Sequence, residues 1–153
     1  MLRRVPLGVV EWHIAFIGGV RVSWWQWPLH REFRHLFAFG YDVDARVWLL
    51  FEYAFEGIRL RVLSADQLDW LVAAVVQSGG RILRTRRRPG RLPRRPRLVF
   101  TCVTAMAHLL GYRFGAFSVR GFYRRLLRDG ALPAFTTVTH GLDVRRRQAE
   151  AGS

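Results

Sequence analysis

Three short runs, RHLFAFG at 34–40, RVWLLFEYA at 46–54 and GIRLRVL at 57–63, constrain this chain more than any other feature. Each is rich in aromatic and branched residues, as strands are. The connections between them, Asp42–Ala45 and Glu56–Gly57, are short and carry turn residues. So little chain between strand-like runs leaves an antiparallel meander as the economical solution.

The meander has to be covered. Residues 65–77 supply one helix: Ser64 stands at the cap, Gln67 lies three residues on at capping-box spacing, and Leu68, Leu71, Val72, Val75 and Val76 recur at helical period before Gly79 and Gly80. TCVTAMAHLLG at 101–111 reads as a second helix, with Thr101 as cap and Gly111 as stop. A third runs from about Ser118 to Asp129 and ends at Gly130, with Phe122, Leu126 and Leu127 inward and its arginines outward. Residues 7–27 are apolar and aromatic and fit one or two strands around Gly18 and Gly19. The expected fold class is α+β, one domain over 1–144 with a flexible tail at 145–153. Its 153 residues, half of them apolar, suffice for one core. No apolar run approaches the ~18 residues of a membrane helix, and Glu11 and His13 interrupt the signal-like start. The expected setting is cytoplasmic, without a membrane span.

The formal charge is +14, which turns attention to polyanions. All the basic residues are arginine, with no lysine, and asparagine is absent too. A GC-rich coding bias accounts for that, so arginine identity alone says little. Much of the charge is local: residues 81–97 hold nine arginines and no acid, and three prolines and a glycine make 86–97 a loop. Such a loop is a candidate contact for nucleic acid or another polyanion. It has no aromatic residue to stack on a base, and a solvated loop is the plainer reading.

Cys102 is the one cysteine, which excludes a disulfide framework within the chain and a cysteine-based zinc site. The plain reading of a lone cysteine is a small buried hydrophobe. The register offers another. If the first hairpin closes symmetrically about Val43 and Asp44, His35 falls opposite Glu52, and cross-strand partners lie about 5 Å apart at Cβ. His35, Phe37 and Phe39 then share a face with Trp48, Leu50 and Glu52. The helix opening at Cys102 can cover that face, and its N-terminus favours thiolate. The unit would be Cys102 as nucleophile, His35 as base, Glu52 as orienting carboxylate and the Cys102 N–H as part of an oxyanion hole. Against it, a tight turn at Glu56–Gly57 sets Glu52 facing Arg61, and a surface ion pair there needs no chemistry.

A histidine on a strand, an acid on the next strand and then a cysteine at a helix start is an order that resembles the circularly permuted NlpC-like branch of the papain fold, akin to the lecithin retinol acyltransferase relatives. The resemblance covers roughly residues 30–112 and rests on RHLFAFG and TCVTAMAHLLG. It implies a permuted papain-like arrangement and a small cysteine-dependent amidase, peptidase or acyltransferase acting on a peptide or amide substrate, with roles for Cys102, His35 and Glu52 as above. No cofactor and no metal is expected. Phe37 and Phe39 stand where that branch carries glycine-containing patterns, and the basic loop before Cys102 departs from it.

His140 and Asp143 form a second candidate pair for Cys102, although one helix plus loops, not two strands, intervenes. His108 lies on the same helix as Cys102 and points elsewhere. His13, His30 and His35 lack metal-ligand spacing. The alternatives to a hydrolase are a basic module binding nucleic acid or another polyanion, of phage or chromosomal accessory type, and a degenerate papain fold kept as a structural part.

Overall fold

A computed structural model describes residues 8–18, 35–54, 57–87, 101–112 and 118–135. The arginine loop from 88 onward, His30, His140, Asp143 and the tail lie outside the described residues. In chain order the elements are β1 (Val9–Ile17), β2 (His35–Asp42), β3 (Val47–Ala54), β4 (Gly57–Leu63), α1 (Ala65–Gln77), β5 (Arg81–Arg86), α2 (Cys102–Leu109), α3 (Val119–Arg128) and β6 (Leu132–Ala134). The fold is α+β: the described residues form one six-stranded sheet in the order β4-β3-β2-β1-β5-β6, every neighbouring pair antiparallel, with three helices.

The meander is β2-β3-β4, as its strand-like runs foretell. Its registers differ from the symmetric closure by two residues at each turn. Asp42 pairs with Val47, so the first loop is Val43–Arg46 and Phe37, not His35, stands opposite Glu52. The Asp42 carboxylate sets this loop. It accepts from the Asp44 and Ala45 N–H groups, both at 3.0 Å, and from Gly8 N–H at 3.2 Å. Arg46 closes the turn in the left-handed region, at φ 56°. At the second turn Ala54 pairs with Gly57, which sets Glu52 opposite Arg59. Gly57 takes φ 125° there, where a side chain would be strained.

A two-residue shift preserves the faces, because side chains alternate with period two. One face of the sheet carries Ala15, Phe37, Phe39, Trp48, Leu50 and Ile82 and packs on Leu68, Val72 and Val75 of α1. The other carries Trp12, Ile14, Phe16, Leu36, Ala38, Leu49 and Leu83 and packs on Val103, Met106 and Ala107 of α2 and Val119, Phe122 and Leu126 of α3. The covering helices are thus exchanged relative to the sequence expectation: α1, not α2, lies over the face that His35 shares.

The helix signals hold in detail. In α1 the Ser64 and Gln67 side chains and backbones bond reciprocally, at 3.2 and 2.9 Å. In α2 Thr101 and Thr104 do the same, at 3.3 and 2.7 Å. Ser118 caps α3 by accepting from Gly121 N–H at 3.0 Å. Val119 takes the inward place expected of Leu127, which is exposed. The 7–27 segment contributes β1, which lies between β2 and β5.

Candidate functional site

Cys102 is the first residue of α2, directly after the Thr101 cap. It packs at the margin of the core formed by α2, α3 and their face of the sheet, the core that includes Leu36 and Ala38. Burial pushes its thiol above the ordinary value; hydrogen bonding to the backbone at Leu36, Val103 and Cys102 itself only partly opposes this. Burial therefore outweighs the helix N-terminus, where the sequence leads one to expect an easily formed thiolate.

His35 is the first residue of β2 and pairs with Ile17 of β1. Its neighbours by alternation, Phe37, Phe39 and Ile17, belong to the core under α1. By alternation the packing neighbours of His35 and of Cys102 lie on opposite faces of the sheet, while the thiol reaches the β2 backbone at Leu36, the residue after His35. Glu52 is on the His35 side. With Phe37 directly opposite Glu52, His35 is its diagonal neighbour. Burial lowers the His35 pKa below the usual histidine value, and the Glu52 charge raises it in part. So the histidine and the carboxylate do meet electrostatically, two residues off the expected register.

Glu52 has a second partner. Its Oε2 accepts from Arg61 Nη2 at 3.2 Å, an ion pair at the surface. This is the plain structural pairing read from the sequence, reached diagonally because Arg59 is the direct partner. In its exposed setting the pair is worth about 1 kcal/mol or less.

Two histidines have other surroundings. His108 is exposed on α2. His13 is buried in β1, stacked on Phe39 with ring centroids 5.1 Å apart and planes 8° from parallel, and flanked by Trp48 and Phe135. Its alternation with Ala15 and Ile17 could have marked it as inward-facing, but only once β1 was known to be a strand.

The feature that sequence reasoning registered without weighing is the outer side of α3. This helix holds Arg120, Arg124, Arg125 and Arg128 and no acid. Arg120, Arg124 and Arg128 follow one another at four-residue spacing, which places them on one helix face. Arg81 of β5 joins this layer: its Nη1 donates to Tyr123 Oη at 3.3 Å and its guanidinium lies 5.9 Å from the Tyr123 ring centroid. Arg125 lies 5.5 Å from the Tyr112 ring centroid and 3.7 Å from Asp129. The aromatic rings hold these arginines at the surface by cation–π attraction. On the far side of the sheet α1 carries Asp66 and Asp69 and no base. The two helical layers therefore differ in sign of charge.

Among the described residues, no helix is long and apolar enough to cross a membrane. No family model matches the chain, and neither the curated proteins nor the solved structures contain a match to it.

Proposed function

We propose that this protein is a non-catalytic module that binds a polyanion, nucleic acid being the class in view, through the arginine face of α3. The observation that carries this reading is the segregation of charge: four arginines and no acid within α3, against two aspartates and no base within α1 on the opposite layer. A cationic face of this kind neutralises phosphates and releases their counterions on binding. The Tyr123 and Tyr112 rings favour the reading further for Arg81 and Arg125 beside this face, because pre-positioned guanidiniums lose less freedom on contact. The arginines between 86 and 97 would add charge to the same task.

The competing reading is a cysteine hydrolase of permuted NlpC-like arrangement, using Cys102, His35 and Glu52. It asks that thiol and imidazole share a space. What speaks against it is the placement of their neighbours on opposite faces of the sheet and a thiol held protonated by burial.

The test is titration of a fluorescein-labelled oligonucleotide, single-stranded and duplex, with the parent protein and three variants. Reversal of Arg120, Arg124 and Arg128 to Glu should abolish binding. Loss of Arg59 and Arg61 to Ala, on the other face of the sheet, should leave it nearly unchanged, as should Cys102→Ala. Equal weakening by the two sets of arginine changes would refute a specific α3 face, and absence of binding by the parent protein would refute the reading itself.

A further inference from the structure

Leu127 is out of place on the cationic side of α3. Its apolar side chain suits an inward position, yet it is 38% exposed, and Val119, Phe122 and Leu126 make the contact with the core. A single leucine at a surface is ordinary in itself. This one shares the outer half of its helix with the arginines of the proposed phosphate contact, and that gives its exposure a use.

Helical geometry fixes the arrangement. Arg120, Arg124 and Arg128 form a slanting row along the outer face, successive members standing about 6 Å apart along the axis. Leu127 comes three residues after Arg124 and seven after Arg120, which sets it about 20° round the axis from Arg120. It therefore flanks the row on one side, near the C-terminal end. Tyr123, one turn earlier, is on that same side, half-buried and edge-on to Phe16. The opposite side of the row carries Arg125, which lies by the Tyr112 ring and beside Asp129. Arg124 and Arg128 themselves are exposed. The helix thus presents a cationic line with an apolar shoulder on one side.

That pattern suits one form of polyanion better than others. A duplex keeps its base faces stacked and shows a protein its phosphates and base edges. A single strand carries a line of phosphates with open base faces beside it. We infer, resting on the polyanion reading, that α3 takes single-stranded nucleic acid, with phosphates along Arg120, Arg124 and Arg128 and the face of a base against Leu127. Every base has such a face, so the contact is blind to sequence. The leucine supplies a part of the affinity that salt does not screen, since it comes from apolar burial and not from charge.

The experiment titrates the full chain, over a range of salt, with two labelled dodecamers of equal phosphate count: oligothymidylate and its fully abasic analogue. The parent protein should bind the thymidylate about fivefold tighter, the scale of covering part of one aliphatic side chain. The two strands should give nearly equal slopes of log affinity against log salt, because their phosphate contacts are the same. Leu127→Ala should erase the fivefold difference and leave the slope alone. Leu127→Met, which keeps the apolar volume, should retain the difference, and circular dichroism checks that the helices persist in both variants. Binding of a duplex dodecamer should be unchanged by Leu127→Ala. Equal affinity for the two strands, a base advantage that survives Leu127→Ala, or an equal loss on the duplex would overturn the inference while the arginine face stands. If neither strand binds, the polyanion reading itself falls, and this inference with it.

Discussion

At Cys102 two opposing effects meet, and burial is the larger. The helix N-terminus draws the thiol toward thiolate, whereas the apolar surroundings of the α2 core hold the proton on. Alkylation by iodoacetamide should accordingly be slow at neutral pH and rise only above the usual thiol range, and His35→Ala should not change the profile. Fast labelling well below pH 8, slowed by that substitution, would revive the hydrolase. His35 gives a second prediction. Its folded pKa lies below the usual 6.5 because burial disfavours the imidazolium. As pH falls through the usual value the unfolded chain takes up the proton first, so this residue's contribution to stability declines toward acid. Urea unfolding at about pH 7.5 and about pH 5.5 should show a larger loss in the parent protein than in His35→Gln; a smaller loss would contradict the assignment. The residue types at this site were readable from the sequence, and so was the nearness of His35 to Glu52. The Asp42 carboxylate was not, because its bonds to Gly8, Asp44 and Ala45 depend on a strand distant in sequence.

Elements were legible where the signal is local. The Ser64 capping box, the Thr101 cap, the glycine stops and the three strands of the meander follow from side chains within a few residues of one another. What joins elements was less legible. The faces of β2 and β3 are both largely apolar, so nothing in their pattern says which helix covers which face; α1 and α2 came out exchanged. The hairpin register slipped by two because parity, the one thing the pattern fixes, is unchanged by such a slip. The pairing of β1 with β2 carries a register shift between Val9 and Trp12, opposite Gly40. A Cβ at Gly40 would come within 2.6 Å of Val9 Cγ1 and 2.9 Å of the Glu11 carbonyl oxygen. Gly40→Ala should therefore destabilise by about 1–3 kcal/mol in urea unfolding, as overpacking does. An unchanged or increased stability would show that the strands do not approach so closely.

For the whole molecule, the central claim is that charge is sorted between two layers and that the cationic layer meets a polyanion. The net charge of +14 is plain from composition, and the run at 81–97 stands out in the sequence because it holds nine arginines and no acid. The arginines of α3 alternate with apolar residues over 120–128, and Arg120, Arg124 and Arg128 share a face only when wound into a helix. A four-residue spacing count could have found them. The measurement that tests the claim most directly is the salt dependence of binding to a labelled single-stranded oligonucleotide, in the parent protein and in the variant with Arg120, Arg124 and Arg128 changed to Ala. If these three side chains each neutralise a phosphate, the slope of log affinity against log salt should be shallower by about 2 in the variant. Equal slopes in the two proteins would contradict the account and move the contact away from α3.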